Sequence, residues 1–114
     1  MDYLKLALGT FAGIALATTA SAQTVGIGST KAGAVAQITA TISKAVSEHG
    51  GVQMRKQTMG GTQQYIPVVN AGELEFAISN ITQYHMARTG TGLSKGTPYT
   101  NLRLVATMMK FTVS

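Results

Sequence analysis

Two short turns hold the residues of this chain that are best suited to bind a small ligand. Residues 28–31 read GSTK and residues 59–62 read MGGT, and each turn joins an apolar stretch to a segment with helical spacing. Glycine lets the backbone approach a ligand closely, the free amides of a helix N-terminus attract anions, and a hydroxyl adds a hydrogen-bond donor. The pattern therefore predicts anion binding without a catalytic group, although glycines that only form turns and hydroxyls that only cap helices would give the same pattern. The candidate binding residues in the two turns are Ser29, Thr30, Gly61 and Thr62.

Neither turn matches a nucleotide-binding loop. Residues 26–31 read GIGSTK, so Lys31 stands where a dinucleotide fingerprint needs its third glycine. The glycines at 28 and 33 have the spacing of a P-loop, but Ala34 and Val35 occupy the positions of the required lysine and hydroxyl residue. Both nucleotide hypotheses are therefore rejected.

The residues that enzymes use for catalysis are sparse. Cysteine is absent, and the only aspartate in the chain, Asp2, lies in the N-terminal segment that we predict to be removed on export. Residues 23–114 can therefore form neither a Ser-His-Asp triad nor a cysteine nucleophile. His49 and His85 are far apart and have no ligand partner at metal spacing. Glu73 and Glu75 flank a predicted turn, where we expect them to be solvated. The sequence therefore predicts a protein that is not an enzyme and that has no metal and no cofactor.

The charge of the chain favours small anions over nucleic acid. Nine Lys and Arg against four Asp and Glu give a net charge of +5. The basic residues are scattered, and no basic patch interleaved with aromatic residues is present. We therefore expect no nucleic-acid partner and a weak positive field that attracts small anionic solutes.

The first 22 residues have the three-part pattern of a secretory signal peptide. Lys5 precedes an apolar core at residues 6–17, and residues 20–22 (ASA) form a cleavage site. As a helix, this core would be roughly 18 Å long, which is too short for the ~30 Å hydrocarbon layer. We predict cleavage after Ala22. Because no cysteine is available for a lipid anchor, we expect the product to be soluble in a periplasm.

Residues 23–114 alternate between strand and helix patterns, which predicts an α/β fold with a mostly parallel sheet flanked by helices. Ser29 or Thr30 is expected to cap the first helix, and Thr62 the second. Pro67 lies inside the second predicted helix. The predicted strands are residues 24–28, 52–58, 74–79 and 101–109, and the predicted helices are residues 31–48, 62–71 and 80–88.

Several segments resemble, in order, the TAXI family of solute-binding proteins, which serve TRAP-type transporters. The longest is residues 60–76 (GGTQQYIPVVNAGELEF). Residues 25–29 (VGIGS), the pair Ser79-Asn80 and residues 101–103 (NLR) are similar to the same family. The resemblance covers nearly all of residues 23–114.

The resemblance implies a periplasmic receptor with a type II periplasmic-binding-protein-like fold. Such receptors close two lobes over a small organic anion, such as a dicarboxylate or an acidic amino acid, and deliver it to the membrane subunits of a TRAP-type permease. Asn80 would then line the cleft together with the two turns, and residues 23–114 would be the N-terminal part of the first lobe, truncated before the second. Ala34 and Val35 depart from the family, which often has an aromatic residue there.

Two other classes of protein remain as alternatives. The first is a small exported enzyme that acts on an anionic substrate, which would need a base near Ser29 or Thr62. The second is the effector lobe of a transcription regulator, which the signal peptide and the absence of a DNA-binding segment disfavour.

Overall fold

The computed structural model describes residues 21–110, which form a three-stranded parallel sheet with the strand order β2-β1-β3. This architecture confirms the predicted α/β class. The signal peptide predicted for residues 1–22 lies almost wholly outside the described residues. The strands are β1 (Thr24–Thr30), β2 (Gln53–Met59) and β3 (Phe76–Ala77). The helices are α1 (Ala34–His49), α2 (Thr62–Asn70) and α3 (Ile81–Thr89), and a short 3-10 turn follows at Gly92–Ser94.

The central strand β1 is paired very differently on its two sides. Along β2 the ladder runs through seven residue pairs, from Thr24 opposite Gln53 to Thr30 opposite Met59. Along β3 it has only two pairs, which involve Ile27 and Gly28 of β1. Because all three strands are parallel, their carboxyl ends lie at the same edge of the sheet, where the segments leading to α1, α2 and α3 begin.

The side chain of Glu75 adds one hydrogen bond beside the short ladder between β1 and β3. The amide N–H of Gly26 donates to Oε2 of Glu75 at 2.6 Å, next to the first residue of β3. Glu75 is exposed, as the sequence predicted. One oxygen of its carboxylate nevertheless accepts a hydrogen bond from the central strand at a position that the two-residue strand β3 does not reach.

The core lies where α2, α3 and the end of the surface loop (residues 90–101) meet the sheet. Gly28 allows this packing, because a Cβ at this position would lie 2.9 Å from Cγ of Tyr65 and 3.1 Å from Cδ2 of Leu74. Asn101 and Asn70 tie the end of the loop to α2 through two hydrogen bonds of 3.0 and 3.1 Å. The buried cluster consists of Tyr65, Ile66, Leu74, Ala87 and Leu102.

Both predicted caps at the starts of the first two helices are wrong. Ser29 and Thr30 are the last residues of β1, and α1 begins only at Ala34, after Gly33 with φ 86°. Gly61 occupies the cap position of α2, so Thr62 is the first residue inside that helix. The β1 ladder accounts for the first difference, since pairing with β2 keeps the backbone extended through Thr30.

Pro67 lies inside α2, as the sequence predicted. Because proline has no backbone N–H, α2 lacks one of its internal hydrogen bonds at this position. At the far end of α1, His49 is the last helical residue and Gly50 follows as the cap, which confirms the predicted helix end.

The predicted fourth strand is also wrong. Residues 102–110 contain no strand, and the predicted third strand is reduced to Phe76–Ala77. A strand needs a neighbour with which to exchange backbone hydrogen bonds, and no such neighbour lies beside residues 102–110 within the described part of the chain. The apolar side chains of Leu104, Val105, Met108 and Met109 are accordingly 51–79% exposed.

None of the helices within residues 21–110 has the length and hydrophobicity that a membrane crossing requires.

Candidate functional site

The end of β1 presents two hydroxyl groups at the carboxyl edge of the sheet. Ser29 is fully buried, and its Oγ donates to the carbonyl oxygen of Thr30 at 3.1 Å. Thr30 is half-buried, and its Oγ1 donates to the carbonyl oxygen of Ala32 at 2.9 Å. Both hydroxyl protons therefore go to backbone oxygens of the turn that leads toward α1.

The start of α2 lies at the same edge, after β2. Gly61 has extended backbone and no side chain, so no side chain of its own caps the first amides of α2. The amide of Gly60, one residue earlier, donates to Oε1 of Gln64 at 2.7 Å. The first amides of a helix have no partner inside the helix, and the helix dipole places partial positive charge there. The start of α2 is therefore suited to hold a negatively charged group.

Tyr65 joins the start of α2 to the end of β3. Its hydroxyl donates to the carbonyl oxygen of Ile78 and lies 3.1 Å from Oγ1 of Thr62. Its ring is fully buried against Gly28 of β1. Burial raises the pKa of the Tyr65 hydroxyl, and the hydrogen bond with Thr62 acts in the opposite direction. One side chain thus connects the ends of β1 and β3 with the first turn of α2.

Asn80 caps α3. Its Oδ1 accepts a hydrogen bond from the amide of Gln83 at 2.7 Å, and its backbone is extended as a cap requires. Asn80 thereby satisfies one amide at the start of its own helix, whereas Gly33 and Gly61 supply no such side-chain acceptor to α1 and α2. Of the three helix starts, those of α1 and α2 are the more open to an external anion.

A small cavity lies between the first turns of α2 and α3 and the 3-10 turn. Its volume is about 40 Å³. Its wall mixes hydroxyl and amide groups with apolar side chains, which suits a small polar group next to a hydrocarbon segment. The lining residues are Thr62, Gln63, Ile66, Gln83, Met86, Leu93, Ser94 and Tyr99.

The structure brings only part of the predicted set together. Thr62 lines this cavity, whereas Ser29, Thr30, Gly61 and Asn80 do not. These four lie at or next to the strand ends and helix starts of the same sheet edge. Whether any of the five binds a ligand stays a prediction.

Sequence reasoning missed Tyr65, Gln63 and Gln83. Tyr65 was part of the family-like run but was given no role of its own. The spacing Thr62-x-x-Tyr65 places both hydroxyls on one face of a helix, which was the available signal. Gln63 and Gln83 each lie in the first turn after a predicted helix start, and both line the cavity.

Arg103 lies in the family-like segment 101–103 and carries a positive charge that could pair with an anion. Its Nη1 donates to the carbonyl oxygens of Thr100 and Leu102, at 2.7 and 2.9 Å. Arg88 donates to the same two carbonyl oxygens, at 3.1 and 2.7 Å. Arg103 therefore helps to fix the end of the surface loop.

Comparison with known proteins decides the family. Residues 12–113 match the NMT1-like family, a periplasmic-binding-like family related to solute-binding proteins. The chain belongs to this family. No curated protein and no solved structure matches the chain. Membership of the NMT1-like family confirms the solute-binding relationship that the resemblance implied, and it is consistent with the parallel sheet whose helix starts gather at one edge.

Proposed function

We propose that the protein is an exported solute receptor of the TAXI type, which captures a small organic anion in the periplasm for a TRAP-type permease. The observation that carries the proposal is the match of residues 12–113 to the NMT1-like family. The sheet edge supports an anionic ligand, because no side chain caps the start of α2 and the net charge of +5 favours anions. A dicarboxylate or an acidic amino acid fits these groups.

The proposed mechanism is capture without chemistry. The hydroxyl of Ser29 pairs with a carbonyl oxygen and that of Thr62 with a tyrosine. Within residues 21–110, neither hydroxyl has a histidine or glutamate as hydrogen-bond partner. This arrangement favours a binding protein over the exported enzyme, which would need a base at one of these positions. Closure of a second lobe over the ligand would then produce the form that docks on the permease.

The test is calorimetry on the mature protein produced from its complete reading frame, titrated with succinate, L-malate, glutarate and L-glutamate. We expect at least one of these anions to bind at micromolar levels and the uncharged diamide of succinate not to bind. Absence of binding by all four, in a protein shown to be folded by circular dichroism, would contradict the proposal.

The same titration on residues 23–114 alone examines the role of a second lobe. A single lobe leaves most of the ligand surface in water, so we expect binding to be much weaker than in the complete protein. Equal affinity in both would show that the clamshell part of the proposal is wrong.

A further inference from the structure

The outer side of β2 has no neighbouring strand within residues 21–110, because β2 is the outermost strand in the order β2-β1-β3. In a parallel sheet the backbone N–H and C=O groups of successive residues point alternately to the two sides of the strand. The amide of Gln53 donates to the carbonyl oxygen of Gln23 at 2.8 Å, on the side of β1. The backbone groups of Arg55 and Gln57 therefore also point toward β1, and those of the residues between them point outward.

The two ends of this outer side are closed by side chains. The hydroxyl of Ser47 accepts a hydrogen bond from the amide of Met54 at 2.9 Å and donates to the carbonyl oxygen of the same residue at 3.3 Å. This double contact shows that the backbone of Met54 points away from β1. Just beyond the strand, the amide of Gly60 donates to Oε1 of Gln64 at 2.7 Å. The helices α1 and α2 thus each supply one closing side chain.

Between these closed ends, the outward backbone groups of Lys56 and Thr58 have no hydrogen-bond partner among the described residues. Both residues are exposed. Ser43 lies one helical turn before Ser47, but its buried Oγ has no partner in the same part of the chain, so it does not extend the closure at Met54. The open edge of β2, which consists of Lys56 and Thr58, therefore offers two N–H donors and two carbonyl acceptors at the spacing of an extended chain, roughly 6.6 Å.

The charge of β2 determines which strands can pair with its open edge. Arg55 and Lys56 are exposed and consecutive, so their side chains stand on opposite faces of the sheet, and β2 contains no acidic residue. Opposite charges stabilise a cross-strand pair, whereas like charges destabilise it. A second copy of β2 would bring the same two positive charges, which disfavours self-pairing. A segment with two consecutive acidic residues would instead be attracted on both faces.

We propose that the open edge of β2 is a docking site for an extended acidic segment of a partner protein, which adds to the sheet as a strand beside β2. Main-chain hydrogen bonds to Lys56 and Thr58 supply affinity, and the side chains of Arg55 and Lys56 select acidic sequence. The open edge lies along the outer side of β2, whereas the proposed ligand site lies at the carboxyl ends of the strands. The inference therefore does not depend on the proposed function.

The open edge itself can be tested without a partner, by hydrogen exchange of the complete mature protein followed by NMR. The amides of Lys56 and Thr58 should exchange at least about 10-fold faster than those of Arg55 and Gln57, which point toward β1. Equal protection in a protein that sediments as a monomer would overturn the open edge. Protection that appears together with a dimer at higher concentration would assign the edge to a second copy and overturn the acidic partner.

The docking test titrates a fluorescein-labelled peptide, Thr-Val-Glu-Glu-Val-Thr, with the complete mature protein and follows its anisotropy. One control peptide has two lysines in place of the two glutamates. The other keeps the glutamates but is N-methylated at both, so neither side of the peptide can donate at its centre. We expect the acidic peptide to bind at least about 10-fold more tightly than either control. Absence of binding, or equal binding of the N-methylated peptide, would overturn the proposal.

Substitutions separate the charge of β2 from its backbone. Arg55→Glu combined with Lys56→Glu should reverse the preference, so that the lysine peptide binds more tightly. Lys95→Glu combined with Lys110→Glu makes the same change in net charge away from β2 and should leave the preference unchanged. Loss of the preference in this control would overturn the proposal, because attraction by overall charge would then explain binding.

Thr58→Pro removes one outward N–H and leaves both charges in place, and proline is tolerated on the free side of an outer strand. Binding of the acidic peptide should fall about 3- to 10-fold. Unchanged binding in a variant that is folded by circular dichroism would overturn the role of the backbone. If this variant does not fold, the N-methylated peptide tests the same hydrogen bonds from the other partner.

Discussion

The two sides of the central strand β1 are paired to very different extents. Toward β2, β1 has a ladder of seven residue pairs, and α1 follows with sixteen helical residues. Toward β3 the ladder has two pairs, and residues 102–110 continue without a strand. Met108 and Met109 face Ile38 and Ile42 of α1 across an open space of about 430 Å³. A strand pattern becomes a strand only where a neighbour completes its hydrogen bonds.

The boundary between the two regions lies at Leu102. Leu102 is 6% exposed and belongs to the buried cluster, whereas Val105, three residues later, is 79% exposed. The free energy of unfolding should therefore depend strongly on the buried apolar side chains up to this boundary and hardly at all on the exposed ones after it.

The largest expected effect contrasts Leu74 with Leu104. Leu74 is 1% exposed in the core, so Leu74→Ala should lower the free energy of unfolding by about 2–5 kcal/mol. Leu104 is 53% exposed, so Leu104→Ala should change it by less than about 0.5 kcal/mol. Urea unfolding followed by circular dichroism measures both. Similar losses in the two variants would show that residues 102–110 are packed in solution.

A smaller effect is expected where β1 meets Tyr65. In Gly28→Ala the new methyl group would lie 2.9 Å from Cγ of Tyr65, so we expect a loss of about 1–3 kcal/mol from overpacking. Gly61→Ala is the control, because Gly61 has extended backbone and its added Cβ would meet nothing within 4 Å. Thermal unfolding of the two variants makes the comparison. Equal stability of Gly28→Ala and Gly61→Ala would show that β1 and α2 are not packed as closely as described.

The smallest effect concerns the cap of α3. Asn80→Ala removes the acceptor for the amide of Gln83 and should destabilise the protein by about 1 kcal/mol. Ser79→Ala is the control, since the hydroxyl of Ser79 contacts only the neighbouring carbonyl oxygen of Asn80 at 3.1 Å. Urea denaturation measures this difference as a shift of the unfolding midpoint, provided that the m-values of the variants agree. Equal midpoints for Asn80→Ala and the wild type would mean that the cap contributes nothing to stability.

The sequence predicted the elements that depend on local pattern. The spacing of Val35, Ile38 and Ile42 predicted α1, and the alternation of strand and helix predicted the parallel sheet. The predicted helix ranges ended just before Gly50 and Gly72, because glycine is typical of helix ends, and both glycines lie where the helices end.

The features that the sequence did not predict depend on contacts between distant residues. Ser29 and Thr30 are good cap residues, but pairing with β2 keeps them extended. Residues 101–109 have a strand pattern, but no ladder forms there. The role of Tyr65 depends on Ile78, thirteen residues away, whose carbonyl oxygen has no sequence signal at all.

The contact between Gly28 and Tyr65 has a consequence for how sequences of this kind can diverge. A methyl group at position 28 would lie 2.9 Å from Cγ and 3.0 Å from Cβ of Tyr65, and 3.1 Å from Cδ2 of Leu74. Because the Cβ of residue 65 is itself part of this contact, a smaller side chain at position 65 would relieve only some of the crowding. Descendants of this chain should therefore keep glycine at position 28 even where position 65 changes.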